Sequence, residues 1–515
     1  MPTSWRLALY DAAVCASNLP TALRVRFVVV MSRRFRLKPA LITAAIALCV
    51  AASPAGAAGA TKIPAAAVKT AEQLRDRALN DDTAYKFLEG LTTEIGPRLA
   101  GSDNDARARE WVAAKFKALG FDKVYSEPVT YPKWVRRHEA GEIVSPFPQR
   151  LVLTALGHSF GTPAGGLSAE VVRVADMATL KTIGADQLKG KIVYIGFRMQ
   201  PHRDGKDYGQ ASNIRVDGPP LAASKGAAAF LLRSAGTDAH ERAPHTGITR
   251  FADAKANGIP AAALSNIDAD MLERELAYGK PVTVKLDLDV GFEGDYTSAN
   301  VIGEITGRKH PNEVVALGGH LDSWDLGTGA IDDGAGVAIA TGAAHLVAQL
   351  KQKPDRTIRV IAFANEEAGL YGGKAYAEAH AKDVARHMLG SESDSGAAKA
   401  WRLSASVKPE ARGAIEQIAA VLQPLGVEYD TKAPGGGGPD LSPIHEKGMA
   451  ALSIAQDGTH YFDWHHTPND TFDKVDPKEL AQNVAVYAAW IYMAAQAEGD
   501  FGSAPGAFAK DKGVE

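Results

Sequence analysis

Residues Val314–Glu367 read VVALGGHLDSWDLGTGAIDDGAGVAIATGAAHLVAQLKQKPDRTIRVIAFANEE, and this stretch decides the fold. An apolar run, VVALGGH, ends in a histidine; an Ala/Gly/Val-rich segment of helical length follows; a second apolar run, TIRVIAFAN, ends in two glutamates. Short apolar runs separated by a helix predict strands joined by a crossover. The alternation continues downstream. GGKAYAEAHA (372–381) reads as a helix, HMLGSES (387–393) and AALSIA (450–455) as strands, and DPKELAQNVAVYAAWIYMAAQAE (476–498) as a closing helix. The fold class predicted is α/β, a sandwich around a mixed, mostly parallel sheet. In such sheets ligands gather at the carboxyl ends of the strands.

Upstream, Thr70 to Phe121 is helical in pattern, with Thr70 as a cap candidate and Ala108, Trp111, Val112, Phe116 and Leu119 on one face of a second helix. The loop Gly96–Ser102 separates the two. Between Trp134 and Gly291 the texture changes to short β-rich runs such as RLVLTAL, AEVVRVA and KIVYIGF, with AASKGAAAFLL (222–232) read as helical. This predicts a smaller α+β insert over 134–291, dividing the main domain into 65–133 and 292–500 and leaving 501–515 as a flexible tail.

The first 57 residues read differently. Ser32–Lys38 (SRRFRLK) carries four positive charges, an apolar run Ala40–Ala52 follows, and Ala55-Gly56-Ala57 supplies the small residues of a cleavage site, so an export signal starting near Met31 is expected. The run is too short to span a bilayer, so no permanent membrane anchor is expected. The destination is the periplasm or the medium. Both cysteines, Cys15 and Cys49, lie in this leader, which leaves the exported chain without disulfides. The formal charge of −3 becomes −9 once the leader's seven Lys/Arg and single Asp are removed. That balance excludes a nucleic-acid binder held by a basic field.

Polar residues collect where the strands end. The first strand ends in Gly318-Gly319-His320-Leu321-Asp322, and Asp332-Asp333 open the next helix. The second strand ends in Asn365-Glu366-Glu367 and the third in Glu392-Ser393-Asp394; a late loop reads His465-His466-Thr467-Pro468-Asn469-Asp470-Thr471. Each group alone is an ordinary cap or turn. Together, imidazoles and carboxylates on one sheet edge, with no thiol, fit a nitrogen/oxygen site for zinc or a similar ion.

In order and spacing, GGHLDSWD, GAIDDGAG, NEEAGLYGG, ESDSG and HTPNDT resemble the di-zinc exopeptidase family of bacterial zinc aminopeptidases and glutamate carboxypeptidases, most of all its plasma glutamate carboxypeptidase branch. The insert is similar to the protease-associated domain that several members carry. The resemblance implies two zinc ions, with His320 and Asp394 on one, Glu367 and His466 on the other, and Asp332 bridging; Glu366 is then the general base. It also implies a cis bond between Asp332 and Asp333. Asp322 is expected to accept from the second imidazole nitrogen of His320, and His465 and Asp440 are candidate pocket residues. The expected partners are short peptides, with a homodimer left open.

Rival readings are weaker. Gly157-His158-Ser159-Phe160-Gly161 matches the serine-hydrolase elbow, but a loop follows the serine where a helix is required. A non-catalytic receptor of the same fold would have lost ligands, and a single-zinc glutaminyl cyclase would not need the full set. The direction of attack, from the amino or the carboxyl end, stays open.

Overall fold

A computed structural model describes residues 60–251 and 258–509; the leader with its export signal lies outside them. In chain order the strands are β1 (Lys123–Ser145), β2 (Gln149–Leu151), β3 (Leu153–Ala155), β4 (Leu167–Arg173), β5 (Ile192–Ile195), β6 (Ala229–Arg233) and β7 (Ala261–Leu264). They continue with β8 (Thr283–Ile305), β9 (His310–His320), β10 (Arg356–Phe363), β11 (His387–Glu392), β12 (Ala400–Ser406), β13 (Glu428–Tyr429) and β14 (Ala451–Gln456). The sheet order is β13-β12-β14-β11-β9-β10-β8-β4-β5-β6-β7-β3.

At its centre β14, β11, β9 and β10 run parallel, and β8 closes antiparallel on β10. Alternation along each strand builds two cores. Val315 and Leu317 of β9, with Ile358 and Val360 of β10, pack under Ala335–Ala348 and Pro477–Gln496. Val314 and Ala316, with Ile361 and Phe363, face Tyr376 and Ile444 on the other side. Both faces are covered, so these strands read as nearly continuous apolar runs. Leu480 to Ala495 is buried without a break, and the helix that carries it is opened by the Asp476 carboxylate, which accepts from the N–H groups of Lys478 and Glu479.

β1 and β8, 23 residues each, form one antiparallel ribbon from Lys123↔Glu304 to Ser145↔Thr283. Trp134 and Gly291, where the texture of the sequence changes, fall inside this ribbon: Trp134 pairs with Phe292 and Val135 with Gly291, beside a register shift at Pro132. Beyond it, β4, β5, β6 and β7 run parallel, with two apolar layers of their own.

Three readings are corrected. AASKGAAAFLL is not a helix: the helix Tyr208–Ser224 stops at Gly226, whose φ is +79°, and Ala229–Arg233 becomes a fully buried strand. A short apolar run carries no periodicity to separate the two. Thr70 caps nothing; the helix starts at Ala65, and the Thr70 hydroxyl donates to the Ala66 carbonyl. The expected tail is held as far as 509, because Phe501 is buried, its carbonyl accepts from Lys408 N, and Ala504 N donates to the Gly448 carbonyl. Ser159 is also buried and no helix follows it, so no nucleophile elbow forms.

Candidate metal centre and active site

The carboxyl ends of β9, β10 and β11 deliver His320, Glu366-Glu367 and Asp394 to one edge, as parallel pairing demands. Asp332 stands between two groups of donors. Its Oδ1 is 3.1 Å from His320 Nε2, and its Oδ2 is 3.1 Å from His466 Nε2. Asp394 Oδ1 lies 3.8 Å from the same His320 nitrogen, and Glu367 Oε2 lies 2.9 Å from His466 Nε2. The donor atoms of His320, Asp332 and Asp394 all lie within 4.8 Å of one another, as do those of Asp332, His465 and His466. The Asp332–Asp333 bond is cis.

Electrostatics makes this a place for cations. Burial, with the Asp332 and Glu367 charges, pushes Asp394 up to about 7 against the pull of His320. Burial, with the Asp394 and Glu367 charges, likewise raises Glu366 well above the usual carboxylate range. Burial opposes the charged form of His466, but Glu367 and Asp332 push its pKa up to about 9. Four acidic side chains gathered this closely, Asp332 and Glu367 buried and Glu366 and Asp394 partly so, hold protons unless positive charge stands beside them. Nitrogen and oxygen donors with no thiol fit zinc.

Supporting bonds aim each donor. His320 Nδ1 lies 2.9 Å from the Asp322 carbonyl, while the Asp322 carboxylate is 3.8 Å away and accepts instead from Glu366 N at 3.0 Å. Asp322 is thus the residue that faces the second imidazole nitrogen, through its carbonyl, while its carboxylate holds the backbone of Glu366. Trp324 Nε1 donates to Glu367 Oε2 at 2.6 Å, turning that carboxylate toward His466. Asp470 accepts from the N–H groups of Ile331 (2.6 Å) and Asp332 (3.2 Å), fixing the loop that carries the central aspartate. The backbone of His466, at φ +62°, is tied to the chain between β6 and β7: Thr246 N donates to its carbonyl at 3.0 Å, and its Nδ1 lies 3.3 Å from the Thr246 carbonyl.

His465 stacks on His466 with ring centroids 3.5 Å apart and reaches to 3.4 Å of Asp332 Oδ2, so it belongs to the second donor group as well as to the cavity wall. Asp440 is corrected: it does not line the cavity. Gly438, at φ +96°, lets the loop fold inward onto Glu392, and Asp440 is buried with its Oδ1 accepting from Gly373 N, leaving Pro439 on the wall.

Arg98, Trp324 and Asp470 carry no role in the sequence reading, although each lies in a quoted loop. Arg98 is buried, and its guanidinium donates to the carbonyls of Leu321, Gly96, Thr328 and Gly329, pinning the loop after β9. Burial pulls its pKa down to about 10 against the pull of Asp470 and its neighbours. Arg98→Met strips those four carbonyls at once and is expected to cost about 3 to 5 kcal/mol of stability. Denaturant unfolding checks it; a loss below about 1 kcal/mol would mean that water replaces the guanidinium.

Fold and donor set together define a metallopeptidase. A model of Peptidase family M28 matches residues 300–491. Carboxypeptidase Q of Bos taurus is 35% identical over 415 residues, spanning 81% of this chain and 86% of that protein. Aminopeptidase YwaD of Bacillus subtilis is 25% identical over 448 residues, spanning 84% and 90%. The crystal structure of a peptidase M28 precursor from Shewanella amazonensis superposes with a TM-score of 0.81 at 48% identity, covering 84% of this chain and 97% of that one. The chain belongs to peptidase family M28, as its motif order led us to expect, and among the described residues no helix is long and apolar enough to cross a membrane.

Proposed function

We propose that the chain is an exported exopeptidase that holds two zinc ions and hydrolyses the terminal bond of short peptides. The observation that carries this reading is the division of Asp332, one carboxylate oxygen toward His320 and the other toward His466. In this assignment His320 and Asp394 would hold one ion, His466 and Glu367 the other, and Asp332 would serve both. Zinc held by these residues would supply a more acidic water and a Lewis acid for the scissile carbonyl.

The chain itself moves the proton. Glu366 is half-buried on the wall of the cavity, next to Glu367 yet outside the contacts that turn Glu367 toward His466. Its raised affinity for a proton suits a group that accepts one from the attacking water and returns it to the leaving amine. The cavity, about 420 Å³, is roofed by Tyr208, Arg215, Ile248 and Arg250 of the insert. A roof that close to the reacting edge admits chain ends and excludes folded proteins. The N-terminal signal pattern supports export. Neither a metal-free receptor nor a single-zinc cyclase accounts for a full second donor group with a free glutamate beside it.

Mass spectrometry of the earliest products from a denatured protein tests the exopeptidase reading. Release of terminal residues or dipeptides alone is expected; efficient internal cleavage overturns it.

A further inference from the structure

The two groups of donors are supported from different parts of the chain. His320, Asp332 and Asp394 rest on the main sheet and the loops beside it: the Asp322 carbonyl faces His320 Nδ1, Asp470 accepts from the backbone of Asp332, and Ser393 N donates to the Gly318 carbonyl at 3.0 Å. Glu367 and His466 rest on the other side. Trp324, whose indole N–H fixes the Glu367 carboxylate, is 5% exposed and lies in an apolar layer with Trp134, Leu153 and Ala155, made by the β1–β8 ribbon and the strands it encloses. Its ring meets Trp134 edge-on, with centroids 6.4 Å apart, and Arg136 of β1 donates to both carboxylate oxygens of the next residue, Asp325, at 2.9 and 3.1 Å.

His466 is held from the same direction. Besides the two contacts with Thr246, the loop that leads to it is bound at three points: Gly458 N donates to the Arg203 carbonyl at 2.9 Å, Thr237 N to the Phe462 carbonyl at 2.9 Å, and the Thr237 hydroxyl to Asp463 Oδ1 at 2.7 Å. Phe462 itself packs with Met199, Ala211 and Ala235. Arg203, Thr237 and Thr246 all lie between β5 and β7. One glycine closes the fit on the Glu367 side. A Cβ on Gly157 would stand 2.1 Å from Trp324 Cη2, and the backbone of Gly157 is not left-handed, so an added methyl acts through that contact alone. The indole is rigid and buried; to clear the methyl it must move, and its N–H moves with it.

We propose that Gly157 and Thr246 are positioning residues for the Glu367–His466 group, so that an ion held there and the packing of the chain between β1 and β8 stabilise each other. This rests on the two-ion reading and makes the two sites unequal in what supports them. Linkage makes the effect reciprocal, because whatever the packing adds to the affinity of the ion, the ion returns to the packing. The test titrates zinc calorimetrically, against a competing chelator, into the metal-free full chain, with His466→Ala identifying the binding event that belongs to the Glu367–His466 group. Gly157→Ala is expected to weaken that event by about 10- to 100-fold, the range for loss of a contact that orients a ligand, and to leave the other within about threefold. Trp324→Phe, which keeps an aromatic ring and removes the N–H, should weaken the same event by about tenfold. Adding Gly157→Ala to that variant should cost less than about threefold more, because the smaller ring clears the methyl. In the wild type, zinc at about ten times the dissociation constant of that event should slow hydrogen exchange at the Thr237 and Thr246 amides by about tenfold, and in His466→Ala it should not. Weakening of both events equally by Gly157→Ala, or of neither, overturns the proposal, as does exchange at Thr246 that follows only the other event. Should Gly157→Ala not fold, Trp324→Phe and the wild-type exchange decide. A wild type that takes a single zinc counts against the two-ion reading instead, and the linkage then stands or falls on whether that event is lost in His466→Ala and weakened by Gly157→Ala.

Discussion

Glu366→Gln is expected to keep its zinc and lose roughly 10² to 10⁴ in turnover. The amide preserves the shape of the side chain but cannot take a proton from water and hand it to the leaving nitrogen. The adjacent change should behave differently. Glu367 Oε2 lies 2.9 Å from His466 Nε2 and accepts from the Trp324 indole, so Glu367→Gln disturbs the donor group itself and should weaken zinc binding. Elemental analysis beside steady-state kinetics separates the two outcomes. The reverse result, with zinc lost from the first variant and kept by the second, would exchange the roles of these neighbours.

Removing the metal should abolish hydrolysis and also loosen the fold. Asp332 is buried and Asp394, Glu366 and Glu367 crowd around it, so the empty edge is a concentration of carboxylates away from water. An ion that binds only the folded chain stabilises it by about 4 kcal/mol at a thousand times its dissociation constant, so chelation is expected to lower the melting temperature by roughly 5 to 10 °C. Stepwise return of zinc should restore activity only as the content approaches two per chain. Full activity at one would refute the shared role of Asp332.

The main sheet was legible because buried parallel strands are apolar on both faces, which makes polar residues at their ends stand out. His320, Glu366, Glu367 and Asp394 were written at such ends, with Asp332 at the start of a helix and His466 in a late loop, and the fold brings all six together. What escaped the sequence depends on distant contacts. Nothing near Arg98 announces that it will meet carbonyls more than two hundred residues away, and Arg215 is one cation in an unremarked helix. Asp322 was legible as the partner of His320, but not that its carbonyl would serve, because spacing identifies a residue and not the atom. AASKGAAAFLL failed for a different reason: an alanine-rich run favours helix until parallel neighbours enclose it.

The bonds between Thr246 and His466 have a mechanical meaning. Swinging the segment between β1 and β8 away as a rigid flap would break these bonds or drag a residue of the reacting edge with it. We expect traffic in and out of the cavity to be set by an aperture rather than by the opening of a flap. Turnover should depend on the girth of the peptide at its mouth and be insensitive to solvent viscosity, as for a sieve and unlike a gate.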